Sequence, residues 1–404
     1  MRIQPSDIRI ADYSYQLPPE RIANFPLAVR DQSKLLVYKY GEFTDDWFFN
    51  LSEHIPRGSS LFLNNTRVIE ARVLFQKPTG GVIEIFLLEP HEQSIEAALQ
   101  ETKTSKWNCL IGGASKWKHG QLLMKKLVVN SQEVKLRARY LNKETDCFTI
   151  EFAWDSEDVH FIDILHSAGA IPLPPYIKRS AEKIDNERYQ TIFGRYDGSV
   201  AAPTAALHFT DNVFKSLSEK NISCNYITLH VGAGTFKPVK SQTIADHEMH
   251  AEVFSVNRTV LQNLISAESV IAVGTTSLRT LESLHWLGVK LLNGAIDKEW
   301  ELHQWEPYNL NNAIGYKESL TAIIKRMEQT GEEDIHCRTS LLIVPGYSFK
   351  IPSAIITNFH QPNSTLLLLV AAFVGEDWKK IYQHALESDY RFLSYGDSSL
   401  LWRK

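Results

Sequence analysis

Three side chains of this sequence have the type and the setting needed for proton transfer. His208 and His360 stand beside small or turn-forming residues, in the runs AALHFT and NFHQP, and Glu252 ends the run DHEMHAE. An imidazole titrates near neutral pH and a carboxylate is ionised there, so both groups suit a general acid or base. We therefore predict that His208, His360 and Glu252 are catalytic. The competing interpretation is structural: histidines that only hydrogen-bond their loops, and a glutamate on a solvated strand.

The loop before His208 favours a functional role. Residues 194–210, GRYDGSVAAPTAALHFT, join an Asp-Gly turn to a run of small side chains, where a ligand can approach the backbone closely. Thr210 is a candidate N-cap for the helix that should follow. His208 would then lie just outside a helix N-terminus, whose dipole lowers the pKa of an imidazole and keeps it neutral.

Two further loops follow predicted strands and suit a small ligand. Gly232 and Gly234 lie in VGAGTFKPV, but a proline and no helical period come next, which excludes a dinucleotide-binding fingerprint. Thr275, Thr276 and Ser277 lie in VGTTSL, where a strand turns into a helix. Backbone amides and hydroxyls at such a junction suit a ribose or a carboxylate.

The His- and Glu-rich run lacks the spacing of metal ligands, whereas four cations are clustered. The run DHEMHAE lacks the H-E-x-x-H spacing, so we predict no metal site. Four cations cluster beside polar loops in a chain whose formal charge is -4. Because local cations can hold a nucleic acid when the overall charge cannot, we predict that its backbone is contacted by Arg67, Lys178, Arg179 and Arg188.

Two kinds of structure must hold these residues. In residues 1–70 and 155–404, apolar strands alternate with helical segments, which predicts a discontinuous α/β domain with a mixed sheet covered by helices. Residues 71–154 carry short β-type runs separated by turns, which predicts an inserted antiparallel β-barrel. Tryptophans and lysines interleave in that insert and offer a second candidate surface for RNA, although solvated lysines on strands are more frequent.

Composition bounds the cellular setting. The four cysteines stand far apart without a C-x-x-C spacing, which indicates free thiols. The longest apolar run, residues 366–374, is half the length of a membrane span. We expect a cytoplasmic protein and a monomer.

Several separated motifs resemble those of the S-adenosylmethionine:tRNA ribosyltransferase-isomerases of queuosine synthesis. They follow the family's order over nearly the whole chain and include GSVAAPTAALHFT, LHVGAGTFKPV, VGTTSLRTLES, ITNFHQPNSTLLLLVAAF and YRFLSYGD. Asn65 stands where the family usually has aspartate, Glu70 where proline is usual and Ala206 where glycine is usual. Residues 302–339 match poorly, and we expect a helical elaboration there.

The resemblance implies an unusual reaction. The ribosyl group of S-adenosylmethionine is transferred to the aminomethyl group of 7-aminomethyl-7-deazaguanine at the tRNA wobble position and isomerised, giving epoxyqueuosine-tRNA, adenine and methionine. S-adenosylmethionine would be a co-substrate bound at the two loops named above, and no further cofactor is expected. Alternatives from other classes are an S-adenosylmethionine-dependent RNA methyltransferase, which the missing helix after Gly234 argues against, and a non-catalytic RNA-binding protein.

Overall fold

The structure is a computed structural model that describes residues 5–232, 234, 241, 243–296, 299–310 and 313–403. Within these residues the strands form sheets of ten, seven and two strands. The strands are β1 (Lys34–Lys39), β2 (Glu42–Trp47), β3 (Ser60–Asn64), β4 (Thr66–Val68), β5 (Arg72–Gln76), β6 (Val82–Pro90), β7 (Thr104–Gly112), β8 (Leu122–Val129), β9 (Gln132–Lys143), β10 (Phe148–Ala153), β11 (Gly169–Ala170), β12 (Tyr196–Ser199), β13 (Ser223–Leu229), β14 (Glu252–Asn257), β15 (Val270–Val273), β16 (Trp300–Leu302), β17 (Asp334–Thr339), β18 (Ala354–Asn358) and β19 (Ser398–Trp402).

Two of the helices begin at a capping residue that the sequence shows. Thr210 and Ser364 cap the helices that begin one residue later, and their side chains accept hydrogen bonds from the amides of Val213 and Leu367. The helices are α1 (Ile95–Gln100), α2 (Phe161–Ala168), α3 (Lys183–Arg188), α4 (Asp211–Glu219), α5 (Arg258–Ser266), α6 (Thr275–Leu292), α7 (Glu306–Asn309), α8 (Tyr316–Thr330), α9 (Thr365–Val374) and α10 (Trp378–Glu387).

The ten-stranded sheet has the order β16-β17-β14-β13-β3-β15-β18-β19-β1-β2. Its four central strands, β13, β3, β15 and β18, run parallel, whereas antiparallel pairs join β14 to β13 and β18 to β19. The sheet is therefore mixed, as predicted. Because the central strands are parallel, the loops at their carboxyl ends lie along one edge of the sheet.

Both faces of this sheet are covered. Along β1, Leu36 and Tyr38 pack into one apolar core, which includes residues of α5, α6, α8, α9 and α10. The alternate residues Leu35 and Val37 pack into a second core, with α4 and the 3₁₀ segment Phe48–His54. Because alternate residues of a strand point to opposite faces, one apolar run supplies both cores. This pattern is typical of a strand that is buried on both faces.

The seven-stranded sheet is antiparallel, with the order β11-β5-β6-β7-β10-β9-β8, and it curls around a separate core. Its terminal strands β11 and β8 do not pair with each other in the described residues, so the predicted closed barrel is not confirmed. Helix α2 packs against β8 and β5 beside this gap, and Lys125 Nζ donates to the carbonyl of Ala168 at 2.9 Å. The helix covers the opening, so the sheet needs no further strand pairing to bury its core.

The division into domains remains a prediction. The sequence places the second boundary of the insert at residue 154, yet α2 packs into the core of the smaller sheet, and β11 pairs with β5. These contacts favour a boundary after Ala170. Strand pairing over such a distance has no local sequence signal, and α2 by itself resembles a helix of the α/β domain.

The poorly matching segment 302–339 is more than a helical elaboration. Its helix α8 packs against α6 so closely that a Cβ on Gly288 would lie 2.3 Å from the carbonyl oxygen of Ser319. Its strand β17 pairs with β14 inside the ten-stranded sheet. The segment therefore belongs to the main core.

Candidate active site

A cleft of about 770 Å³, its open mouth included, lies at the carboxyl ends of β15 and β18. Three stretches distant in sequence line it: residues 201–205, the Gly274–Thr276 junction and residues 357–361. Loops at the carboxyl ends of the parallel strands therefore come together here.

Residues 201–205, the alanine-rich loop, form one wall of the cleft. Its residues have small side chains, so the wall leaves the backbone close to the cavity. Opposite this wall, a Cβ on Gly274 would lie 3.7 Å from the Cβ of Ala205. Gly274 also has φ of +89°, a conformation that other residues rarely adopt, and its amide donates to the carbonyl of Ile356 at 2.8 Å. Glycine is required here to turn β15 into α6.

The N-terminus of α6 faces the cleft through Thr275 and Thr276, which are both lining residues. The N-cap residue Gly274 offers no side chain, so no side-chain cap occupies the first amides of the helix. Uncapped amides and the positive end of the helix dipole favour an anionic or oxygen-rich ligand. Ser277 is fully buried and is not among the lining residues. The structure therefore does not bring this predicted binding residue into the cleft.

The glycine loop begins at the rim of the cleft. Val231 lines the cavity, while Gly232 and Gly234 are not among the lining residues. A Cβ on Gly234 would lie 2.6 Å from the His250 ring, so this glycine allows close contact with the 246–251 segment. Residues 233 and 235–240 of the loop lie outside the described residues.

His360 is the predicted catalytic residue that lines the cleft. Its Nε2 lies 2.9 Å from Thr357 Oγ1. Its backbone is held on both sides, because its amide donates to Tyr382 Oη at 3.0 Å and its carbonyl accepts from the Tyr15 hydroxyl. Burial lowers the pKa of His360 to about 4, so the ring is neutral at physiological pH. A neutral imidazole in a cavity wall can accept a proton from a bound ligand.

His208 lies behind the cleft. It lines a smaller cavity of about 280 Å³, together with Arg30, Arg188 and Arg391. Its pKa is lowered to about 4, so the expected neutral form is present. Burial, and not the helix dipole, is the largest cause of this lowering. Its ring nitrogens contact Ser33 Oγ at 2.8 Å and Asn358 Nδ2 at 3.3 Å.

Glu252 is buried in an ion pair away from the cleft lining. Its Oε2 accepts from Arg279 Nη1 at 2.6 Å, and both side chains are about 5% exposed, at 6% and 5%. The segment before it is a loop, and β14 begins only at Glu252. A carboxylate held by a buried arginine is a poor base, because proton uptake would leave that cation unpaired.

The four predicted RNA contacts divide into two kinds. Lys178 is exposed, and the side chain of Arg67 is 49% exposed, with Nε 3.7 Å from Asp197. Arg179 instead binds Asp185 through two bonds of 2.7 and 2.8 Å, and Arg188 donates to the carbonyls of Leu27 and Ala28. The first pair is free to meet phosphate, whereas the second pair holds loops of the protein.

The candidate RNA surface of the insert loses its aromatic component. Trp107 and Trp117 are buried, with exposed fractions of 0% and 4%. Buried rings cannot stack on bases, so these two tryptophans do not support an RNA surface on the insert.

Several residues that line the cleft were missed by sequence reasoning. Asn358 and Gln361 flank His360 in one motif, and Tyr176 and Tyr189 lie in the runs PPYI and ERYQT. Tyr176 Oη bonds Ser394 Oγ at 2.6 Å across the chain. The motifs were visible, but no local pattern shows which side chains point into a cavity.

A family model and full-length relatives agree with the motifs. A family model described as "Queuosine biosynthesis protein" matches residues 10–401. The S-adenosylmethionine:tRNA ribosyltransferase-isomerase of Chlorobaculum parvum is 35% identical over 98% of this chain and 100% of its own length. Its namesake from Legionella pneumophila strain Paris is 36% identical over 96% and 98%. The crystal structure of S-adenosylmethionine tRNA ribosyltransferase from Thermotoga maritima is 26% identical, with a TM-score of 0.45, over 96% of this chain and 99% of that one.

The chain belongs to the queuosine biosynthesis protein family, because the family model and full-length relatives above 30% identity cover nearly all of it. The described residues hold no helix long and apolar enough to cross a membrane, and no group of three or more His, Cys, Asp or Glu side chains arranged to hold a metal ion.

Proposed function

We propose that this protein is an S-adenosylmethionine:tRNA ribosyltransferase-isomerase. It transfers the ribosyl group of S-adenosylmethionine to the aminomethyl group of 7-aminomethyl-7-deazaguanine at the tRNA wobble position and isomerises it. Epoxyqueuosine-tRNA, adenine and methionine are the products. Family membership and the names of full-length relatives support this function.

One observation of the site supports it most directly. His360, the Thr275 and Thr276 hydroxyls and the alanine-rich wall all line one cleft, although they come from three distant stretches. The reaction needs a base beside a bound ribose and close approach of a second, bulky nucleoside. A base, oxygen-binding groups and a wall of small side chains meet those needs.

S-adenosylmethionine is proposed to bind at the N-terminus of α6. Its carboxylate or ribose oxygens would accept from the uncapped amides and contact the Thr275 and Thr276 hydroxyls. The glycine loop at 232–234 would cover the same ligand from the rim at Val231. Ser277 would support the helix from within the core instead of contacting the ligand.

His360 is proposed as the general base. Donation from its Nε2–H to Thr357 Oγ1 would leave the Nδ1 lone pair to take a proton from the ribose 5′ carbon beside the sulfonium. Burial keeps the ring unprotonated before the step, and the positive sulfonium acidifies the carbon. His208 and Glu252 are proposed to act through other residues, since neither lines the cleft.

The tRNA is proposed to approach over β4 and β12. Arg67 lies on β4, which pairs with β12, and β12 leads directly into the alanine-rich wall. Arg67 and the exposed Lys178 would contact phosphates. Arg179 and Arg188 would instead hold the loops beside this surface. With tRNA as its substrate, the protein is proposed to act in the cytoplasm, as a monomer without further cofactor.

The test is a direct assay with both substrates. The protein is incubated with S-adenosylmethionine and tRNA that carries the aminomethyl-deazaguanine, and free adenine and the mass of the nucleoside are measured. Adenine with a ribosyl-sized mass gain is expected. A methyl-sized gain would identify a methyltransferase, and binding without any mass change would identify a non-catalytic RNA-binding protein.

A further inference from the structure

The side-chain amide of Asn358 has one orientation. Its nitrogen lies 3.2 Å from the carbonyl oxygen of Leu393, and a carbonyl only accepts, so the atom at that position must be Nδ2. Leu393 is itself fixed in an uncommon conformation, with φ of +71°. The amide cannot turn over without setting two oxygens against each other.

This orientation determines the tautomer of His208. The second proton of Asn358 Nδ2 points to His208 Nε2 at 3.3 Å, so Nε2 must accept. The ring proton is therefore on Nδ1 and donates to Ser33 Oγ at 2.8 Å. Both ring nitrogens are committed to the protein, and no lone pair remains for a substrate proton.

The remaining polar atom of this amide is its oxygen, Oδ1. Asn358 is 3% exposed and lines the cleft, and its Oδ1 is buried without a hydrogen-bond partner among the residues that the structure describes. Buried acceptors in native proteins are nearly always satisfied, and an exception calls for an explanation. A ligand in the cleft supplies one.

We infer that Asn358 Oδ1 is an acceptor subsite for an N–H group on the edge of a nucleobase, and that His208 is a positioning residue that keeps the amide in this orientation. Because Nδ2 is held by the protein, the subsite offers only an acceptor. It accepts an amino group and repels a carbonyl at the same position. The inference rests on the proposed function, which supplies two such bases: the adenine of S-adenosylmethionine and the deazaguanine of tRNA.

The first experiment uses Asn358→Ala. Rates of base release are measured for S-adenosylmethionine and for its 6-oxo analogue, and KM is measured separately for S-adenosylmethionine and tRNA. If adenine is the partner, the wild type prefers S-adenosylmethionine over the analogue by roughly 10- to 100-fold, and the variant loses that preference. If deazaguanine is the partner, KM for tRNA rises by a similar factor instead. Unchanged preference together with unchanged KM for tRNA overturns the subsite.

The second experiment separates positioning from catalysis at His208. A glutamine oxygen can accept from Asn358 Nδ2 but cannot act as a base near neutral pH. His208→Gln should therefore stay within about threefold of wild type, whereas His208→Leu should lose the same discrimination as Asn358→Ala. A general base would lose about 100-fold in both variants, which would overturn the positioning role. The two His208 variants decide the question even if Asn358→Ala does not fold.

A matched control is available in the chain. His285 is also buried and bonds a serine, Ser319 Oγ, at 2.9 Å, but it lies inside the core on α6. His285→Leu and His285→Gln should leave substrate discrimination unchanged. A wild-type protein that releases no adenine would overturn the proposed function, whereas an active wild type with normal Asn358 and His208 variants would overturn only this inference.

Discussion

His360 and His285 are alike in their chemistry and differ in their surroundings. Burial lowers the pKa of both, to about 4 and about 3, and each contacts a hydroxyl at 2.9 Å, from Thr357 and from Ser319. His360 lines a cleft at the end of the sheet, whereas His285 is fully buried between α6 and α8.

The comparison shows that a perturbed pKa does not by itself identify a catalytic residue. Any imidazole removed from water favours its neutral form, whatever the removal serves. What distinguishes His360 is the cavity beside it, together with the hydroxyls and the helix N-terminus that face the same space. His208 is an intermediate case, since it shares the low pKa and touches a cleft residue without lining the cleft.

The sharpest test of this comparison replaces each histidine by glutamine. His360→Gln should lower single-turnover adenine release about 100-fold or more, because glutamine cannot accept the ribose proton. His285→Gln should change it less than about twofold at a temperature where the variant is folded. Equal losses in the two variants would mean that both act through stability.

The same contrast can be drawn between two neighbouring hydroxyl residues of α6. Thr276 lines the cleft and Ser277 is buried. Thr276→Ala should raise KM for S-adenosylmethionine about fivefold, the loss of one neutral hydrogen bond of about 1 kcal/mol. Ser277→Ala should leave KM unchanged. The opposite pattern would move the ligand to the other side of the helix.

A third contrast concerns exposed arginines. Arg67 and Arg338 are alike, since their side chains are 49% and 58% exposed and each lies 3.7 Å from one carboxylate. Arg67→Gln should lower the slope of tRNA affinity against salt by about one unit, because one phosphate contact is lost. Arg338→Gln, on the far strand β17, should not. Equal slopes in both variants would move the tRNA surface away from β4.

The smallest expected effect is in the pH dependence of catalysis. With a pKa of about 4, His360 is neutral across the usual assay range, so kcat should change less than about twofold between pH 7.5 and 5.5 and fall only near pH 4. A fall centred near pH 6.5 would show a base exposed to solvent.

Stability should respond to pH earlier than kcat. The buried histidines titrate near 6.5 when unfolded and lower when folded, so the unfolded chain binds more protons between those values. The contribution of these histidines to the free energy of unfolding is therefore fully present above pH 6.5 and falls as the pH drops toward 4. Replacing His285 by leucine should make this decline shallower in denaturant titrations, and an unchanged decline would contradict the lowered pKa.

The sequence alone determined the family, the chain order of the elements and their local ends. The Thr210 and Ser364 caps and the glycine at the β15–α6 turn are set by contacts within a few residues, so a local pattern can reveal them. The motifs also indicated the loops that form the cleft, because small and polar runs at strand ends differ from core sequence.

Only the tertiary structure decided which residues in those loops face the cleft. His208 meets Ser33 and Asn358 across 175 and 150 residues of chain, and Glu252 meets Arg279 from another element. The closure of the smaller sheet by α2 depends in the same way on distant pairing. Burial and hydrogen-bond partners arise when separate elements pack together, and residues equal in type and local setting, such as His208 and His360, come to lie in different surroundings for that reason.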